Sequence, residues 1–163
     1  MLVTCWVDRS SLFLAKKSCA EHYPNESGGL IFGYKANDRE FVVNHISKPG
    51  PQATHGPIGF VPDYEHDTSY SEILFQESNG QSRYLGDWHS HPKTERSYLS
   101  RADKQALKNI LHSDEASLVT VLAIVFAGSE QDWTPCAWAA ELVKRLYFFE
   151  ALAVVKAEIK LFD

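Results

Sequence analysis

The stretch Gly86-Asp-Trp-His-Ser-His-Pro-Lys-Thr-Glu-Arg-Ser-Tyr-Leu-Ser-Arg-Ala-Asp103 decides how the rest of the chain is read. Arg83 to His89 has the composition of a strand, and in an extended segment residues two apart face the same side. His89 and His91 at the end of that strand therefore present two imidazoles to one point, while Trp88, between Asp87 and His89, faces the core. Pro92 denies the next position a ladder donor and stops the strand, which leaves the histidine pair at an open rim. Ser100-Arg-Ala-Asp103 places a hydroxyl and a carboxylate three residues apart on the first turn of a helix predicted over Arg101 to His112. With the histidines, Asp103 completes a set of two neutral nitrogens and one anionic oxygen. That composition suits a single Zn2+ ion with a fourth position left to water.

A further group has to take the proton of that water and pass it on. Glu26, between the first predicted helix and the glycine-led strand Gly28 to Tyr34, is the candidate. Taken singly, each feature has a plainer reading. An H-x-H pair is commonly two hydrogen-bonded surface histidines, Ser100-x-x-Asp103 is close to an ordinary helix capping box, and a Glu after Pro24-Asn25 is commonly a solvated turn residue. Their conjunction in one chain is what favours the metal centre.

Working outward, the 163 residues suit a single domain over 1–163, with 44% apolar residues to build one core. A formal net charge of -5 disfavours a surface built for phosphate backbones, so nucleic acid is not expected as a partner. Cys5, Cys19 and Cys136 are odd in number and far apart, which fits reduced buried thiols in a reducing compartment. No basic region precedes an apolar run near Met1, and no run reaches the length of a membrane span, so a soluble cytoplasmic protein is expected and no membrane contact.

No repeat or low-complexity tract divides the chain, which reads as alternating helices and strands. Val3 to Val7 is a first strand, followed by a helix capped by Ser10 or Ser11 and ended by Pro24, with Leu12, Ala15 and Cys19 on one face. Gly28 to Tyr34 and Phe41 to Ile46 pair across Asn37-Asp38. Ser47 to Asp67 carries Pro49, Pro51, Pro57 and Pro62 and is expected to be a long irregular loop forming a groove wall. A helix from about Thr68 to Glu77 follows. Ser117 to Phe126 is a buried strand and Trp133 to Leu142 another. Val143 to Asp163 suits either period, although its alanines, lysines and glutamates favour helix.

The sequence resembles the JAMM or MPN-domain metalloproteases, whose pattern is a distant Glu, then H-[ST]-H-P, then Ser-x-x-Asp. Glu26-Ser-Gly-Gly-Leu-Ile-Phe-Gly33 looks like the glutamate segment of that family, and Gly86-Asp-Trp-His-Ser-His-Pro92 resembles the corresponding run of its prokaryotic JAB branch. The resemblance implies an α/β, α+β-like fold, a single MPN/JAB domain whose central, mostly antiparallel curved sheet is flanked by helices. It implies that His89, His91 and Asp103 bind one zinc ion, that Glu26 is the acid/base, and that Ser100 polarises the scissile carbonyl and holds the oxyanion. The pattern departs at one place: eight residues separate His91 from Ser100 where the common family spacing is seven. Ser97 is a weaker alternative, lacking an Asp three residues on.

The resemblance further implies a substrate bond after the C-terminal glycines of a ubiquitin-like protein, in a conjugate or a precursor. Bacterial relatives of this size often accompany activating and conjugating enzymes in anti-phage operons, and these are the expected partners. Lys93, Arg96 and Arg101, in or beside the rim loop, are placed to meet an acidic partner surface. His22, His45, His55, His66 and His112 have no ligand-like spacing, and Cys136 has no neighbouring base to make it a nucleophile. Two rival readings are a non-catalytic MPN-like interaction scaffold and a DNA-associated protein of the RadC type. The intact set of Glu26, His89, His91 and Asp103 counts against the first, and the acidic balance against the second.

Overall fold

The computed structural model describes residues 2–145 and 149–163. In chain order the elements are β1 (Val3–Asp8), α1 (Arg9–His22), β2 (Gly28–Asn37), β3 (Glu40–Ile46), β4 (Thr54–Gly56), β5 (Gly59–Val61), α2 (Tyr64–Glu77), β6 (Arg83–Pro92), α3 (Arg101–Leu111), β7 (Thr120–Gly128), β8 (Trp133–Arg145) and β9 (Phe149–Phe162). Seven strands form one curved sheet in the order β1-β3-β2-β6-β7-β8-β9, closed by β1 pairing with β9. Its pairings are antiparallel except β1 with β3, β1 with β9 and β6 with β7. The expected mixed fold, with a mostly antiparallel curved sheet and flanking helices, is the one found.

β7 explains where the core sits. Its run Thr120 to Ala127 is buried throughout. Leu122, Ile124 and Phe126 join buried residues from each of the other strands of that sheet and Leu12, Ala15 and Cys19 of α1 in one cluster. Val121, Ala123 and Val125 face the other way, packing with Leu99 and with Leu107 of α3. A strand covered on both faces has no polar side to alternate with, hence its continuous apolar sequence. Trp88 lies on the first of these faces, edge-on to Phe126 at 5.5 Å, its indole N–H donating to the Ser47 carbonyl at 2.9 Å. Its neighbour His89, pointing the opposite way, emerges on the α3 side.

Two glycines permit the close approaches this packing requires. Gly86 has φ +148°, and a Cβ there would lie 1.9 Å from the Leu122 carbonyl oxygen, so any other residue would prise β6 from β7. A Cβ on Gly29 would lie 2.7 Å from the Trp88 indole nitrogen.

The structure corrects several element assignments. α1 is capped by Asp8, whose carboxylate accepts the Ser11 amide at 2.7 Å, and not by Ser10 or Ser11, because the helix begins directly after Asp8, the last residue of β1. Ser47 to Asp67 is not wholly irregular: it contains the β4–β5 hairpin, and α2 starts at Tyr64 with Asp63 as its cap. Pro57 sits in the hairpin turn and Pro62 just beyond β5, so the prolines bracket regular pieces without interrupting them. β6 runs through His91 to Pro92, pairing with β7 to its end. The C-terminal region is strand, not helix: β8 continues to Arg145 and β9 occupies Phe149–Phe162, while 146–148 of the ambiguous segment lie outside the described residues. β9 pairs with β8 on one side and β1 on the other, and two full ladders outweigh the helical preference of its alanines, lysines and glutamates. Among the described residues no helix is long and apolar enough to cross a membrane.

Candidate metal centre

The parallel pairing of β6 with β7 carries His89 and His91 to the rim where α3 begins. There the Nε2 atoms of the two histidines lie 3.0 Å apart. Asp103 Oδ1 is 3.2 Å from His89 Nε2, and Asp103 Oδ2 is 3.6 Å from His91 Nε2. Ligand atoms about 2.0–2.1 Å from a tetrahedral ion are about 3.3 Å from one another, and the three observed edges bracket that value. His91 Nδ1–H donates to the Arg96 carbonyl at 3.2 Å, which fixes the tautomer and leaves the Nε2 lone pair toward the shared point. Side-chain exposures of 19% for His89 and 17% for His91 and Asp103 keep that point partly covered but reachable. Donor type, spacing and orientation all fit a metal ion, and among the described residues no other group of three acidic, histidine or cysteine side chains converges in this way.

The capping-box and ligand readings of Ser100-x-x-Asp103 hold together. Ser100 caps α3, its hydroxyl oxygen accepting the Asp103 amide at 3.1 Å, while Asp103 Oδ2 accepts the Ser100 amide at 2.6 Å. The box fixes the Asp103 rotamer, and that rotamer turns the carboxylate toward the histidines. Burial alone would raise the Asp103 pKa, but bonds to His89, His91 and Ser100 outweigh it and hold the carboxyl well below its usual range. The same contact with Asp103 raises His91.

Glu26 reaches the site through the sheet. Gly28 pairs with His89 in the antiparallel β2–β6 ladder, and the Ser90 amide donates to the Ser27 carbonyl at 2.8 Å. Continuing that register sets Glu26 opposite His91, on the face the ligands share. Burial raises the Glu26 pKa, opposed by the nearby histidines. A carboxylate so placed is suited to accept and return a proton.

The longer rim loop is tied down at several points. Thr94 bridges to Gly128, Arg96 serves His91, and the Trp138 indole donates to the Ser97 carbonyl at 3.0 Å. Lys93 adopts φ +62° where the loop leaves β6, so the extra residue is accommodated before Ser100 and leaves its cap geometry intact. Lys93, Arg96 and Arg101 are exposed and form no ion pair among the described residues.

Sequence reasoning missed two supports. Ser90, fully buried, accepts the Ser27 amide on its hydroxyl at 2.8 Å, so one residue between the two ligands bonds both sides of the Ser27 peptide group. Strand alternation carried a signal for it, because a Ser between outward histidines must point inward. The second support is the β4–β5 hairpin, where the Glu26 amide donates to the Gly56 carbonyl at 2.8 Å. The three cysteines are free and buried, and burial pushes Cys5 and Cys19 up to about 12, far from thiolate reactivity.

A mixed sheet with an open-rim His-His-Asp centre and a facing carboxylate defines a metal-dependent hydrolase. Residues 13–140 match the family model of prokaryotic homologs of the JAB domain, and the chain belongs to that family of peptidases. It is 28% identical to a probable metalloprotease, y4qB, of Sinorhizobium fredii over 94% of both chains. It is also 38% identical to a CD-NTase/cGAS isopeptidase of Escherichia coli over 44% of this chain and 46% of that one. A protein of the same name from Vibrio cholerae is 30% identical over 62% and 64%. A solution structure of a Desulfitobacterium hafniense protein superposes with a TM-score of 0.65 at 18% identity, covering 98% of this chain and 94% of that one, a likeness of fold.

Proposed function

We propose that the chain is a zinc-dependent isopeptidase that hydrolyses the bond after the C-terminal glycines of a ubiquitin-like protein. The observation that carries the reading is the triangle of His89, His91 and Asp103 donor atoms, toward which the β2–β6 register, continued past Gly28, brings Glu26. A zinc ion held there supplies a Lewis acid and lowers the pKa of water to about 7. Glu26 takes the proton of the attacking water on its carboxylate and returns it to the leaving nitrogen. Ser100, whose oxygen accepts the Asp103 amide, would turn its own O–H to donate to the scissile carbonyl oxygen.

The isopeptide bond as target is supported by two relatives named as isopeptidases. An extended Gly-rich tail suits a metal set at a strand end, where main-chain pairing gives affinity without demanding side chains. The ubiquitin-like protein and its conjugates are the proposed substrates, and its activating and conjugating enzymes the associated partners. The three free buried thiols agree with a cytoplasmic location.

The test is hydrolysis of a peptide ending in Gly-Gly joined to a lysine ε-amine, with and without chelator. Glu26→Gln should lower kcat by about 10²–10⁴ while one zinc per chain is retained. Full turnover in a metal-free sample overturns the reading. Running the same peptide as a C-terminally extended linear precursor separates deconjugation from processing.

A further inference from the structure

His55 lies in β4, and its Nδ1–H donates to the Glu26 carbonyl at 2.9 Å. The next residue, Gly56, accepts the Glu26 amide at 2.8 Å. One strand of the hairpin thus grips both main-chain polar groups of the residue assigned as general base. The imidazole is itself braced. It stacks on His22 at 3.8 Å between centroids and 15° between planes, and lies 5.3 Å from Phe60 of β5. His22, the last residue of α1, is fixed in turn by donating to the Ser18 carbonyl at 2.8 Å. Burial lowers the His55 pKa, so near neutral pH the ring is uncharged, with its proton on Nδ1.

This grip differs in kind from the Ser27–Ser90 bonds, which fix the base segment to the metal strand at the residue after Glu26. Glu26 itself stands two residues before β2 begins, and its own N–H and C=O bond to β4 and not to β6. Reacting groups need placement well within an ångström, and a misplacement of about 1 Å costs about 10²-fold. The hairpin supplies at Glu26 the constraint that the sheet supplies at Gly28.

Resting on the general-base reading of Glu26, we propose that His55, braced by His22, is a positioning residue for the reaction: it holds the Glu26 peptide group so that the carboxylate stays opposite His91. The chemistry needed is one neutral N–H donor on a nitrogen bonded to Cγ of the side chain. Asn supplies such a donor at the place of Nδ1, and Leu does not.

The experiment compares His55→Leu and His55→Asn with the wild type, using the glycine-lysine isopeptide probe on zinc-loaded protein. His55→Leu should lower kcat about tenfold or more, with KM within about twofold and zinc content unchanged, and His55→Asn should recover most of the loss. Equal kcat for the two variants, or wild-type kcat for His55→Leu, overturns the proposal. Amide hydrogen exchange on metal-free protein reads the clamp without turnover. His55→Leu should speed exchange at Glu26 about tenfold or more, leave Ser90 unchanged, and be reversed in His55→Asn. Unchanged exchange at Glu26 overturns the clamp as well. Glu26→Gln run in parallel separates the two ideas: turnover surviving that change removes the base assignment and the catalytic meaning of the clamp, while an inactive Glu26→Gln beside a fully active His55→Leu removes the clamp alone.

Discussion

Ser90 shows how one small side chain can hold two halves of a site together. Its hydroxyl and amide bond the Ser27 peptide group from the middle of the ligand pair, in a place water does not reach. Ser90→Val leaves the buried Ser27 N–H unpaired and should cost about 1–3 kcal/mol by chemical denaturation, whereas Ser90→Thr keeps the acceptor and should cost less. A Val variant as stable as wild type would show that the bond is dispensable. Asp87 is a second residue with a measurable signature. It shares the face of His89, accepts the Tyr84 hydroxyl at 2.7 Å, and is pushed up to about 6, chiefly by burial. A folded pKa above the unfolded one means that the folded state holds the proton more tightly, so the contribution is present below about pH 4 and is lost as pH rises through 6. Asp87→Asn should therefore stabilise metal-free protein at pH 8, by on the order of 1 kcal/mol once partial solvent access is allowed for, and not at pH 4. Thermal melts at the two pH values check it, and an equal gain at both would remove the linkage.

Among the elements, the helix starts separate stability from chemistry. Asp8 caps α1 and Ser100 caps α3, each by a single oxygen accepting an amide three residues on. Replacing either by Ala should cost about 1 kcal/mol of stability. Only Ser100→Ala should also lower kcat, because only that hydroxyl borders the metal centre; equal kcat in the two variants would confine Ser100 to capping. The same elements show what a sequence carries. β7 and the His89–His91 strand were legible because their burial is written in consecutive residues, a continuous apolar run in one and alternation in the other. The Ser100-Asp103 start was legible because a cap is a local bond. β9 was not, since its stability comes from ladders to the adjacent β8 and to β1 at the far end of the chain, and backbone pairing leaves no mark on its composition. The β4–β5 hairpin was hidden by its flanking prolines, and the His55–Glu26 bond by ending on a backbone carbonyl, which is the same in every residue type.

For the molecule as a whole, the metal centre is a junction. Its donors come from the end of β6 and the first turn of α3, and Glu26 is tied to β6 through Ser27, so an ion on those donors draws together segments that part on unfolding. Unfolded chain holds no such arrangement, and zinc present at about 100 times its dissociation constant should then add about 2.7 kcal/mol to stability. For a domain of this size that corresponds to a rise in Tm of about 5–10 °C. Glu26→Gln should keep the rise, because Glu26 is not a ligand. His89→Ala and Asp103→Ala should lose most of it, though Asp103→Ala should also lower the metal-free Tm by removing the side-chain half of the α3 capping box. The rise should shrink as pH falls, because protons compete with the ion for His91, whose pKa the Asp103 contact raises. Differential scanning calorimetry with zinc, with chelator and across pH measures all of these, and a Tm indifferent to zinc in the wild type would remove the His-His-Asp centre from the account.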